Sequence, residues 1–220
     1  MKPVLFVGNR NYSSWSLRPW LVLRWAGIDF ETKEVQLGGI GYLKRQVPEV
    51  LAVSPTGTVP VLHLGEEIIP DSLAISEWAA EQNPALWPKD GMARAQARAA
   101  VCEMHSCFAA LRAQLPCNVR RRAPARELDP DVLADVERIQ TIWQALAKRF
   151  AGKGPYLFGE RPTIADAFFT PVATRFRTYQ ISLRPECQRY ADALLADPAF
   201  LEWERSAIEE PWAMPEWDSL

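Results

Sequence analysis

The chain has little histidine and little cysteine, and neither is arranged to bind a metal. His63 and His105 are its only imidazoles, so a multi-histidine centre cannot be assembled. Cys102, Cys107, Cys117 and Cys187 stand at no spacing used by zinc sites or redox dithiols, and they read as reduced, structural thiols. No apolar run approaches the roughly 18 residues that span a bilayer. Met1-Lys2-Pro3 leads into a strand without the apolar stretch and cleavage site of a signal peptide. A soluble cytoplasmic protein without a membrane partner is expected. An excess of positive charge is missing too: 25 Lys and Arg face 27 Asp and Glu, a net charge of −2, which argues against a nucleic-acid footprint. The one dense cationic run, Arg120-Arg121-Arg122 with Arg126, reads as a solvated helix end or loop.

Apolar bulk, by contrast, is plentiful. A hydrophobic content of 48% with nine Trp over 220 residues suffices for a buried core in one large domain or two modest ones. Strand and helix signals alternate at first: strand 4–7, helix about 16–26, strand near 30–35, a mixed segment 38–53, strand 61–64, a turn at Gly65-Glu66, strand 68–69 and a helix from Ser72 to about Glu81. This is a βαβ unit followed by a ββα unit, an α/β domain over residues 1–81. Residues 82–91, rich in Asn, Pro and Gly, break every pattern and read as a linker. From there the pattern is helical, over 92–115, about 131–150, 163–179, 186–195 and 198–206. Residues 92–220 are therefore expected to form an all-α domain.

The stretch Tyr12-Ser13-Ser14-Trp15-Ser16-Leu17-Arg18 lies between the first strand and a helix closed by Gly27. Thiol-disulfide enzymes of the thioredoxin type place Cys-x-x-Cys at such a helix start, whereas this chain offers Ser13-x-x-Ser16. It can bind and activate a thiol but cannot supply one. Helix N-terminal amides carry unsatisfied N–H groups and about half a unit of positive charge, so they stabilise a thiolate. A thiol pKa of about 8.5 falls to roughly 3.5–7.5 in such surroundings, and a serine hydroxyl adds a donor. The same serines also serve simply as helix caps.

Two further devices occur downstream. In Thr58-Val59-Pro60-Val61 a proline stands directly before a strand; a cis bond there would present Val59 to an extended ligand, and a trans proline would only start the strand. Asp71-Ser72 opens a helix with a carboxylate and a hydroxyl that could hold an ammonium and a carboxylate together, or act as a cap.

Taken with Thr163-Ile164-Ala165-Asp166 in the helical part, these motifs resemble, in order and spacing, the cytosolic glutathione transferase family over essentially the whole chain. The first motif looks most like the zeta-type and related bacterial members, whose loop reads Ser-Ser-Cys-Ser-x-Arg. The resemblance implies a thioredoxin-like domain that binds glutathione, an all-α domain that shapes the second-substrate pocket, and a homodimer. By the same resemblance Ser13 is the thiol-activating serine, with Ser14 able to substitute. Val59, with Pro60 as the cis-proline, would meet the cysteinyl part of glutathione and Asp71 and Ser72 its γ-glutamyl end, with Thr58 also among the glutathione-binding residues. Trp15 replaces the cysteine of zeta-type isomerases, so maleylacetoacetate isomerisation is expected to be weak. Thr58 stands where many relatives carry a cation, leaving the glycine carboxylate to Lys44 or to no evident partner.

Glu103, His105 and Ser106 interrupt an otherwise apolar helix that resembles the one lining the substrate cleft in this family. With Trp15 they are candidates for the second-substrate pocket, His105 as donor or general acid. Thr163 and Asp166 form a capping box with Asp in place of Glu, and Phe158 is placed to staple onto the next turn. The expected activity is that of a glutathione transferase directing the thiol at a small hydrophobic electrophile, with glutathione as co-substrate and no metal. A glutathione-dependent isomerase of the maleylacetoacetate type and a non-catalytic interaction module on the same scaffold are the alternatives.

Overall fold

Val4 to Gly8 form strand β1, whose Leu5 and Val7 are fully buried. The computed structural model describes residues 2–38, 42 and 44–218; the expected mixed segment 38–53 lies partly outside them. β1 runs parallel to β2 (Glu31–Val35) and antiparallel to β3 (Val61–Leu64), which pairs with β4 (Glu67–Ile69). The sheet order is β2-β1-β3-β4. Leu5 lies opposite both Thr32 and Leu62, so one residue ties the parallel and antiparallel halves together.

Helix α1 (Ser14–Ala26) starts on the Ser13 cap and ends at Gly27, whose φ of 71° is the left-handed conformation that glycine adopts without penalty. A short helix α2 (Pro48–Leu51) precedes β3, and α3 (Ser72–Gln82) packs on α1. The βαβ and ββα order agrees with the sequence reading, with bounds moved by one or two residues.

A 3₁₀ turn at Pro84–Leu86 lies within the expected linker. The helices that follow are α4 (Gly91–Ser106), α5 (Ala109–Gln114), α6 (Pro130–Leu146) running into a π segment at Ala147–Ala151, α7 (Ile164–Thr178), α8 (Pro185–Leu195), α9 (Pro198–Glu209) and α10 (Pro215–Asp218). α7 is buried along nearly its whole length and packs against α1, α4 and α8. One hydrophobic core runs from Leu5 and Leu62 of the sheet through α1 to Phe168, Phe169 and Trp203.

The single helix expected over 92–115 is two. α4 stops at Ser106, the chain turns through Phe108 with φ 64°, and α5 begins. The break is held from the following helix: Arg112 donates to the carbonyls of Met104 and Cys107 at the end of α4, and the Phe108 ring is buried. Carbonyls that would otherwise need four more helical residues thereby find a donor.

The box at Thr163 and Asp166 forms as expected. The buried Asp166 carboxylate receives the Thr163 N–H (2.7 Å) and O–H (2.8 Å), the Leu157 N–H (3.2 Å) and the Tyr190 O–H (2.9 Å). Phe158, read as a staple onto the next turn, stacks on Phe150 of the π segment.

Candidate active site

The loop between β1 and α1 is fixed partly by its own backbone and partly by groups from other elements. The Asn9 carbonyl accepts the N–H groups of Tyr12 (3.0 Å) and Ser13 (2.8 Å), and the Asn9 side chain accepts from Leu37 N–H at 3.0 Å. Asn11 is pinned from the helical half, its carbonyl accepting Val119 N–H and its side chain Arg120 N–H. Ser13 is left as the N-cap, its Oγ accepting Ser16 N–H at 3.3 Å and lying 2.8 Å from the Ser16 hydroxyl. Ser16 Oγ in turn accepts Gly8 N–H at 3.1 Å. Ser14 is engaged differently: its Oγ accepts from Arg175 Nη2 at 3.3 Å.

Two cavities open on this loop. The first, about 420 Å³, is walled by Ser13, Ser14, Trp15, Arg112, Cys117 and Arg175 among others. The second, about 400 Å³, lies against Thr58, Val59, Pro60, Asp71, Ser72 and Arg45. Trp15, Tyr42 and Trp217 line both, so the cavities adjoin along those three rings.

In the second cavity the Val59–Pro60 bond is cis. The Tyr42 hydroxyl is 3.5 Å from both the N–H and the carbonyl oxygen of Val59. Asp71 caps α3 with Oδ1, which accepts Leu73 N–H (2.8 Å) and Ala74 N–H (2.9 Å), while Oδ2 faces His105 Nε2 at 3.6 Å. The Ser72 hydroxyl is buried and has no hydrogen-bond partner among the described residues. Arg45, rather than Lys44, supplies the cation beside Thr58.

Around the first cavity the charge is strongly positive, with Arg112 and Arg175 in its wall and Arg18 behind Trp15. Arg18 is fully buried, with none of its guanidinium nitrogens hydrogen-bonded; it sits 4.2 Å over the Trp15 ring and 4.8 Å over Phe168. Arg112 lies 4.9 Å from the centroid of the Trp15 ring as well. Burial opposes the charge on all three guanidiniums, moving Arg112 to about 10 and Arg18 and Arg175 downward, and Arg112 and Arg175 add their repulsion at Arg18. A guanidinium keeps its proton in a protein, so the penalty is felt as demand for a counter-anion. Two ring contacts of about 0.5–2 kcal/mol each offset only part of the several kcal/mol that burying an unpaired ion costs.

His105 meets the edge of Trp15 at 5.2 Å, and its Nδ1 is buried without a partner. Burial lowers its pKa; Asp71 opposes this, and Arg18 and Arg112 reinforce it. The imidazole is neutral at pH 7 and stands between Asp71 and Trp15. Glu103 and Ser106 face elsewhere. Arg138 grips the Glu103 carboxylate at 2.7 and 2.8 Å, and the Ser106 hydroxyl donates to the Cys102 carbonyl; neither they nor His105 line the two cavities, and of the four expected pocket residues Trp15 alone does.

Sequence does not single out Arg18, Arg112, Arg175, Arg45, Tyr12 or Cys117 as site residues; of Trp203, Trp212 and Trp217, which by sequence could pack over either the pocket or the core, Trp217 lines both cavities. One signal was available for Arg175, a lone charge inside the apolar run from Phe168 to Phe176. Arg112 gave none, since its place depends on the break at Phe108. Among the described residues no group of three or more His, Cys, Asp and Glu is placed to hold a metal ion, and no helix is long and apolar enough to cross a membrane.

A mixed four-stranded sheet with a serine-capped helix, flanked by a helical half that walls a cationic cavity beside that serine, defines a two-part α/β and all-α fold. The pattern of the glutathione S-transferase N-terminal domain matches residues 12–82, and that of the glutathione S-transferase C-terminal domain matches residues 92–204. The chain belongs to the glutathione S-transferase family. It is 30% identical to a maleylacetoacetate isomerase of Pseudomonas aeruginosa over 89% of this chain and 92% of that one. It is also 31% identical to a maleylpyruvate isomerase of Ralstonia over 75% and 79%. A glutathione transferase homolog from Burkholderia, solved with bound glutathione, shares the fold at a TM-score of 0.72 and 23% identity, covering 96% of this chain and 100% of its own.

Proposed function

We propose that the protein activates the thiol of glutathione at Ser13 and adds it to a small unsaturated electrophile that carries a carboxylate. The observation that carries this reading is the shared cavity: Ser13 and Ser14 open onto the same wall as the Arg112 and Arg175 guanidiniums. In it, glutathione lies along the second cavity, its γ-glutamyl end at Asp71 and Ser72, its cysteinyl backbone at Val59 and its glycine carboxylate near Arg45. That path brings the sulfur to the N-terminus of α1, where backbone dipoles and the Ser13 hydroxyl stabilise the thiolate.

The step is a nucleophilic addition. The sulfur lone pair forms a C–S bond, the electron pair of the double bond moves toward the carboxylate-bearing carbon, and a proton taken up there completes conjugation. Guanidiniums near the acid stabilise the charge that develops on that side. Leu37, Ala113 and Pro116 supply the apolar remainder of the pocket, which suits a small molecule.

Isomerisation of a maleyl-type acid is the second reading. It uses the same addition, followed by rotation about the new single bond and expulsion of the thiolate. The names of the two relatives favour it, and Trp15 in place of the loop cysteine weighs against it. A soluble cytoplasmic homodimer is proposed as the working form for either activity.

Electrophiles paired as acid and neutral ester, assayed with glutathione, test the reading. The acid should be preferred, and Arg175→Gln should cut kcat/KM for the acid by about 10- to 100-fold, the loss of one charge-assisted contact, with the ester changed far less. Equal losses for both would leave Arg175 a structural residue. Glutathione binding without turnover of any electrophile would favour the interaction module.

A further inference from the structure

Glu210 follows α9 and is almost fully buried, 6% exposed. Its two carboxylate oxygens each accept a backbone N–H from the thiol-site loop: Oε2 from Arg10 at 2.7 Å and Oε1 from Asn11 at 3.2 Å. These amides lie two and three residues before Ser13, and the contact spans two hundred positions of sequence. No residue nearer in sequence supplies an acceptor for them among the described hydrogen bonds.

We propose that Glu210 is a positioning residue for the Ser13 loop, its ionised carboxylate holding the Arg10 and Asn11 amides so that Ser13 is presented to the thiol. The clamp is a matter of geometry between the end of α9 and the loop; its consequence for glutathione rests on the function proposed above.

Both donors are N–H groups, so both oxygens must accept. An ionised carboxylate does this readily, whereas a protonated one turns an oxygen into a donor facing a donor, which weakens one of the two bonds. Burial raises the Glu210 pKa to about 7; the Asn11 and Arg10 amides oppose the shift, Glu34 adds to it and Arg120 opposes it. The groups facing the carboxylate are these. Glu34 on β2 is itself paired with Arg10 Nε at 2.5 Å, and Arg120 donates from Nη1 to the Glu210 carbonyl at 3.0 Å. The Arg10 guanidinium stands over Trp203 of α9 at 5.0 Å. The clamp therefore switches near neutral pH.

The linkage has a definite sign. The folded-state pKa lies above the carboxyl's ordinary value of 4.5, so Glu210 contributes most to global stability at low pH, and that contribution is lost as pH rises through about 7. Loop order moves the other way, increasing as Glu210 ionises. A residue that merely supported the fold would show the two moving together.

Amide hydrogen exchange of the loop in the ligand-free protein, corrected for the intrinsic pH dependence, reads this directly. The parent should protect Arg10 to Ser13 severalfold better one pH unit above 7 than one unit below. Glu210→Gln, which keeps one acceptor and adds a donor, should show the weaker protection at both pH values while melting no lower than the parent at the higher one. In the glutathione complex of Glu210→Gln, the bound thiol should titrate at higher pH than in the parent. Equal loop protection in parent and variant, or a loosened loop with an unchanged thiol titration, would overturn the proposal. Should Glu210→Gln fail to fold, Glu34→Gln removes the neighbouring negative charge and should move the loop transition to lower pH; an unmoved transition would overturn it equally. A parent that binds no glutathione would contradict the proposed function instead and leave the loop measurement intact.

Discussion

The two oxygens of Asp71 face different ways, and that division separates a cap from an anchor. Oδ1 holds the first amides of α3, while Oδ2 takes no part in the cap and turns toward His105, in a residue that lines the second cavity. The sequence reading left cap and anchor open, and the geometry provides an oxygen for each. Asp71→Asn keeps an oxygen for the cap and removes the charge. We expect it to weaken glutathione binding by about tenfold, one charge-assisted contact, with the melting temperature little changed; Asp71→Ala should lose both, including about 1 kcal/mol of capping. Calorimetric titration beside thermal melting distinguishes them, and unaltered affinity in Asp71→Asn would leave Asp71 a cap alone. Ser13, Asp71 and Ser72 were legible from sequence because each opens a helix, a role written in local pattern. Arg18, Arg112 and Arg175 were not, because what matters about them is where packing buries their charge: Arg18 without a hydrogen bond, Arg112 and Arg175 on partners distant from any local pattern.

Among the elements, α7 carries the most structure for its length. It is buried on nearly every side, and it delivers Arg175 to the site and Phe168 to Arg18. Its start depends on Asp166, a buried carboxylate with four donors. Removing it leaves those donors unpaired, so Asp166→Ala should destabilise the protein by about 3–5 kcal/mol. Chemical denaturation measures this; a loss below about 1 kcal/mol would mean the helix is nucleated by its packing rather than by the box. The box was readable because its residues are three apart. The interruption at Phe108 was not, since its cap comes from Arg112, a turn further on, and neither was α10, whose short Pro215–Asp218 turn carries too little periodicity to register. Both omissions bear on the site: one aims Arg112, and the other places Trp217 against both cavities.

At the scale of the whole molecule, the site belongs to neither half alone. The first half contributes Ser13, Trp15, Val59 and Asp71, and the second Arg112, Cys117 and Arg175, with one hydrophobic core running between them. The C-terminal segment closes the arrangement. Tyr12, next to Ser13, donates to the Asp218 carboxylate and accepts Met214 N–H at 3.0 Å, and Trp217 meets its ring edge-on. Loop, cavity wall and tail are thus one hydrogen-bonded unit around the N-terminus of α1. Its proposed purpose is to hold a thiolate, and that is measured by ultraviolet titration of glutathione bound to the intact protein, beside Ser13→Ala and Ser14→Ala. The account predicts a bound thiol ionised well below its free pKa of about 8.5 in the parent, moved back toward it in Ser13→Ala, with turnover reduced by roughly one to three orders of magnitude. A bound thiol that titrates as it does in free solution, or one whose titration is the same in the parent and in Ser13→Ala, would contradict the claim that this loop activates glutathione through Ser13.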